Sequence, residues 1–175
     1  MRERKSLRSE NCGCPAEPGR GRELTMLKGI PEILSPELLK ALCEMGHGDY
    51  LVIADGNFPA QSVGKDTRVI RCDGHGVPEL LSAVLKVIPT DTYVEHPVHL
   101  MAPEPQDPAH FPIWDTIYEI VERLEGNSRE KIGYIERFAF YEESKKAFMI
   151  IATGEQSVYA NVMLQKGVIT PDMLA

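Results

Sequence analysis

Apolar positions recur along this chain in two rhythms. Leu38, Leu39, Leu42 and Met45 repeat at helical spacing, and Ser35-Pro36-Glu37 opens that run with a serine cap, a proline at the first helical position and an acid near the positive helix end. Gly46 closes it. The same rhythm predicts helices over Val77 to Ile88, with Leu80, Leu81, Val84, Leu85 and Ile88 on the buried stripe, over Ile113 to Leu124, stopped by Gly126-Asn127-Ser128, and over Tyr134 to Lys145. Shorter, denser runs predict strands. Tyr50 to Ala54 is apolar throughout, the mark of a strand covered on both faces. Thr67 to Cys72, Thr92 to Met101 with a bend at Pro97, and Ala147 to Thr153 follow, and Gly154-Glu155-Gln156 turns the chain into a returning strand over Ser157 to Gln165.

Helix and strand signals alternate along residues 26–175, which predicts an α/β fold: a single domain with a mixed central sheet flanked by helices. The four prolines between Ala102 and Pro112 mark a loop, and no internal repeat is present. Residues 1–25 read differently. They hold six basic and four acidic residues among Gly, Pro and Ser with little to bury, so a disordered tail is expected there. The tail lacks the apolar centre of a secretory signal, and its glutamates argue against a mitochondrial one.

Charge and cysteine content narrow the function classes. The net charge is −7, or −9 without the tail, and no predicted element carries a basic stripe, so nucleic acid is not an expected partner. No apolar run reaches the roughly 18 residues of a membrane span. Cys12 and Cys14 lie in the tail, Cys43 and Cys72 in predicted elements, and their spacing fits neither a zinc site nor C-x-x-C. Four free thiols and a cytoplasmic protein are expected.

The residues able to carry chemistry are few. His47 sits between Gly46 and Gly48 in a helix-to-strand turn. Such a histidine is often only a polar surface residue, but flanking glycines allow a close approach to a ligand, and imidazole exchanges protons near neutral pH. Asp55 ends the strongest strand, where ligands of open α/β sheets bind, although an aspartate there also suits the turn Asp55-Gly56-Asn57. A partnership of Asp55 with His47 balances the two readings. His75, in Asp73-Gly74-His75-Gly76, ranks below His47. His96 and His99 stand three apart on a predicted strand, hence on opposite faces, and make a poor metal pair, with His110 in the proline-rich loop. Tyr134, Arg137 and Tyr141 recur at helical spacing. Tyr159 and Asn161 are two apart on an extended segment, an aromatic platform beside an amide, which suits a polyol. There is no G-x-G-x-x-G, P-loop or G-x-S-x-G motif. His, Asp, Tyr and Asn without a cofactor point to proton transfer on a small polar molecule.

With these residues assembled, the chain resembles the family of sugar mutarotases that contains D-ribose pyranase and L-fucose mutarotase. The likeness lies in "LSPELLKALCEMGHGDYLVIADGNFP", "DGHGVPELLSAVLKVIPTDTY", "ERFAFYEESKKAF" and "ATGEQSVYANVMLQKGV", nearly all of residues 27–169, and its R-F-A-F-Y-E piece is closer to the fucose branch. The resemblance implies a ribose-pyranase-like fold and a role for each matching residue: His47 as proton donor, Tyr141 as a catalytic and sugar-binding tyrosine, and Asp55, Asp91, Tyr159 and Asn161 as sugar-binding groups. Arg137 is placed near the sugar but outside that set. The resemblance also implies L-fucose as substrate, isomerase chemistry without metal or cofactor, and sites near the interfaces of a homo-oligomer, commonly a decameric ring. D-ribose pyranase activity, or a sugar-binding module without turnover, are the alternatives.

Overall fold

The computed structural model describes residues 27–126 and 129–174. The expected tail at 1–25, its Cys12 and Cys14, and Asn127-Ser128 of the expected helix stop lie outside the described residues. In chain order the elements are α1 (Pro36–Glu44), β1 (Tyr50–Ala54), α2 (Ala60–Val63), β2 (Arg68–Cys72), α3 (Val77–Val84), β3 (Val98–Met101), α4 (Pro112–Glu125), β4 (Ile132–Ile135), α5 (Arg137–Ser144), β5 (Met149–Thr153) and β6 (Val162–Gln165).

Among the described residues six strands form one mixed sheet in the order β2-β5-β1-β6-β3-β4. Five run the same way, and β6 alone is antiparallel to its neighbours β1 and β3. Central β1 pairs Leu51 with Met149 on one side and with Leu164 on the other, and its residues from Leu51 to Ala54 are buried, as a doubly covered strand requires. One face carries α1, α3 and α4 over a core that includes Leu38, Leu81, Ile117 and Leu164. On the other face a smaller cluster gathers Val52, Phe58, Ile150 and Phe140 under α2 and α5. The predicted α/β layers are therefore present.

Several helix signals act as read, although α1 stops at Glu44 with Met45 already extended, short of Gly46. Ser35 Oγ accepts the Leu38 N–H at 3.2 Å, proline opens α1, and Gly126 closes α4 in the left-handed region at φ +65°. Four further strand or helix expectations differ from the structure. Tyr134 belongs to β4 and not to a helix, so only Arg137 to Ser144 is helical. Gly133 obscured that strand, yet nothing larger fits there: a Cβ would fall 2.7 Å from the His99 ring of the neighbouring strand. The strand expected from Thr92 is confined to Val98–Met101, beyond Pro97. His96 therefore lies outside the strand, and its ring meets that of His99 with centroids 6.2 Å apart instead of pointing to the other face. The returning strand begins only at Val162, because Tyr159 takes a left-handed backbone, φ +57°, that no strand continues. The third helix ends at Val84, and looser turns carry the chain on through Ile88.

Candidate functional site

The five co-directional strands bring their carboxyl ends to one edge, and four of the six expected site residues gather there. Asp55 leaves β1 buried, 5% exposed, and Asn161 enters β6 beside it at 3%. The two are doubly joined: the Asp55 N–H donates to Asn161 Oδ1 at 2.9 Å, and Asn161 Nδ2 donates to Asp55 Oδ2 at 2.7 Å. Asn57 N–H holds the other carboxylate oxygen at 2.9 Å, the aspartate turn foreseen as the plainer reading. Burial pushes the Asp55 carboxyl above the ordinary carboxylate range, against the pull of these donors.

Tyr141 reaches the same place from α5. Its ring meets Phe58 edge-on at 5.4 Å, and burial, together with the Asp55 and Glu104 carboxylates, raises its phenol above the usual tyrosine value against an opposing pull from Arg137. Arg137, one turn earlier, lays its guanidinium over Phe138 at 4.6 Å and places Nε 3.0 Å from Glu104 Oε1, a charge contact that lacks hydrogen-bond geometry. Asp55, Arg137, Tyr141, Tyr159 and Asn161 line an open cavity of about 200 Å³, with Phe58, Met101 and Val158 as apolar wall. Two kinds of surface line it, aromatic and apolar side chains together with hydrogen-bond donors and acceptors. A small polyhydroxy ring needs both.

Tyr159 is not on an extended segment, as expected, but is forced into the left-handed region, which costs an aromatic residue about 1–3 kcal/mol. Its neighbours oppose that strain. Trp114 Nε1–H donates to its carbonyl at 2.8 Å, and Phe111 stacks on its ring at 4.8 Å. Its hydroxyl donates to Asp107 Oδ2 at 2.5 Å and accepts the Glu104 N–H at 3.2 Å. All four partners come from the proline-rich loop or the first turn of α4. Glu104 and Asp107 went unread in the sequence, where carboxylates between prolines look like solvated loop.

His47 lies elsewhere. It precedes β1 whereas Asp55 follows it, and a five-residue strand spans roughly 17 Å. The expected partnership of His47 with Asp55 at one rim is therefore not made within the chain. Asp91 takes the part instead: its buried Oδ2 lies 3.0 Å from His47 Nε2, and its Oδ1 accepts the Tyr93 N–H at 2.9 Å. Gly48 at φ +85° lets the turn close by donating its N–H to the Lys166 carbonyl, while Asp91 N–H donates to the Gln165 carbonyl, so the end of β6 fixes both members of the pair. His47 remains half exposed, and Tyr93, 80% exposed, stands edge-on to it at 5.7 Å. Asp91 thus anchors the imidazole through Nε2.

Other candidates separate from both groups. His75 pairs with Glu79 on the surface and His110 with Asp115, and Tyr134 turns its hydroxyl to Tyr118. Among the described residues no three His, Cys, Asp or Glu side chains converge as a metal site, and no helix is long and apolar enough to cross a membrane. A second, larger cavity, about 510 Å³ near Thr90, Glu125 and Met173, contains none of the expected site residues.

A mixed α/β sheet carries a polar, aromatic-walled cavity at its carboxyl edge and a histidine–aspartate pair at the other, and the cavity lining suits a small polyhydroxy molecule. The chain belongs to the RbsD / FucU transport protein family, whose model matches residues 28–169. It is 51% identical to the fucose mutarotase of Homo sapiens over 150 residues, 83% of this chain and 96% of that one. Among solved structures, FucU from Bifidobacterium longum superposes with a TM-score of 0.80 at 55% identity, covering 82% of this chain and all of that one. The fucose mutarotase from Streptococcus pneumoniae, in complex with L-fucose, does so at 0.78 and 46%, with coverage of 82% and 100%.

Proposed function

We propose that the chain is an L-fucose mutarotase, an isomerase that interconverts the α and β anomers of L-fucose. One observation carries this reading: the Asp55, Asn161, Tyr159 and Tyr141 cavity, on a chain 46% identical to a fucose mutarotase solved with L-fucose. The reaction opens the pyranose ring to the aldehyde, turns about C1–C2 and closes it again. Opening takes a proton from the anomeric hydroxyl and gives one to the ring oxygen. Two positioned groups suffice, and each is worth roughly 10²–10⁴-fold.

In this mechanism Tyr141, whose raised pKa keeps its proton in place at neutral pH, donates to the ring oxygen. His47 Nδ1 receives the anomeric proton while Asp91 braces Nε2–H and steadies the imidazolium that forms. Ring closure runs the same transfers backwards, and in that direction His47 is the proton donor that the resemblance implies. Asp55, Asn161 and Tyr159 hold the remaining hydroxyls so that the reacting atoms meet.

His47 and Tyr141 lie on opposite ends of β1 and cannot flank one sugar within a chain. The reading therefore places the site between subunits of a homo-oligomer, His47–Asp91 of one facing the cavity of the next, an arrangement that closes into a ring such as a decamer. Exposed Tyr93 at one end and exposed Phe138 and Val158 at the other support such a contact. The free thiols of Cys43 and Cys72 support a cytoplasmic setting. Polarimetry of freshly dissolved α-L-fucose tests the activity: catalytic amounts of protein shorten the approach to equilibrium, and an unchanged decay would sink the proposal.

A further inference from the structure

The loop from Ala102 to Phe111 contains no helix or strand, yet two of its residues govern one hydroxyl. A phenol has one proton to give and limited capacity to accept. At Tyr159 the proton is committed to Asp107 Oδ2 at 2.5 Å, and one acceptor direction is committed to the Glu104 N–H at 3.2 Å. Trp114 and Phe111 fix the carbonyl and the ring, so the side chain cannot turn away to rearrange these bonds. Tyr159 lines the cavity, and with its proton committed its hydroxyl keeps only acceptor capacity. The commitment is robust, since burial and the Asp107 carboxylate both hold the phenol above its ordinary pKa and keep the proton on oxygen.

We infer that Asp107 is a positioning residue that makes Tyr159 a hydrogen-bond acceptor toward the sugar, so that the site selects a ligand carrying a hydroxyl donor at that position. The inference rests on the reading of the cavity as a site for L-fucose and deepens it. Where a partly buried acceptor is met by a group that cannot donate, the hydrogen bond is lost and the acceptor is left unpaired, which discriminates against that group. Without Asp107 the phenol proton is released and can turn toward the ligand, and the polarity of the contact reverses.

Deoxyfluoro sugars read that polarity, because C–F can accept weakly but never donate. The three analogues of L-fucose with fluorine at position 2, 3 or 4 are measured as competitors of L-fucose anomer exchange, on wild type, Asp107→Asn, Asp107→Ala and Tyr159→Phe. The asparagine variant keeps an acceptor for the phenol and serves as the conservative rescue. Wild type and D107N are expected to bind one of the three at least about tenfold more weakly than L-fucose, while D107A and Y159F lose most of that gap. Equal discrimination in wild type and D107A, or none in wild type, overturns the inference. Size-exclusion profiles matching wild type establish that the variants are assembled. If wild type neither exchanges nor binds L-fucose, the substrate reading itself falls; if it does both and the fluorine pattern is absent, only the role of Asp107 falls.

Discussion

Asn161 grips Asp55 from both ends of its amide, accepting the Asp55 backbone N–H at 2.9 Å and donating to its carboxylate at 2.7 Å. This pair ties the end of β1 to the start of β6 and forms the floor of the cavity. Asn161→Ala removes both bonds and leaves a buried acid with unmet needs, so a loss of about 2–4 kcal/mol in chemical denaturation is expected, together with a clear rise in KM. Wild-type stability and affinity in that variant would remove Asn161 from the site.

At the opposite edge, His47→Ala is expected to lower kcat by about 10²–10⁴-fold while leaving the assembly intact on size exclusion. Asp91→Asn keeps the shape of the side chain and loses its charge. It should cost less, about 10–100-fold, because the imidazole stays in place but its charged form is no longer steadied. Both are read from anomer exchange rates at saturating L-fucose.

Tyr141→Phe preserves the ring packing against Phe58 and removes only the hydroxyl. A fall in kcat of about 10²-fold with a stability change within about 1 kcal/mol is expected. The pH profile carries the sign. Tyr141 acts in its protonated form, and its pKa is raised, chiefly by burial. Its contribution therefore persists through neutral pH and is lost only as pH climbs past the ordinary tyrosine value, about 10. An alkaline limb below that value assigned to Tyr141, absent in the phenylalanine variant, would contradict the role.

Subunit mixing tests the two-chain site. His47→Ala and Tyr141→Phe are each nearly inactive, but a co-assembled equimolar mixture forms some interfaces where an intact His47 meets an intact Tyr141. About a quarter of the wild-type rate is expected for random assembly of a head-to-tail ring. A mixture as inactive as its parents would place both groups on one chain.

Much of this was legible in the residues because the signals were local. Ser35-Pro36 carries its helix-start signal within two residues, and the run Tyr50 to Ala54 has the length and composition of a covered strand. Asp55, Tyr141, Tyr159 and Asn161 could be named, and they do converge. What the chain did not disclose was decided by distant partners. Gly133 in β4 reads as a break until the His99 ring above it explains why a larger residue is excluded. Tyr159 reads as strand until Trp114, Phe111 and Asp107 are seen holding it in a left-handed turn. The His47–Asp55 pairing looked natural from eight residues of separation, yet a strand keeps its two ends apart, and Asp91, 44 residues away from His47, is the acid that meets it.

The most direct test is saturation transfer between the α and β anomeric protons of L-fucose by NMR at equilibrium. The account predicts that substoichiometric wild-type protein transfers saturation from one anomer to the other well beyond the rate in buffer, and that His47→Ala does not. Transfer no faster than in buffer, even at stoichiometric wild-type protein, would contradict it.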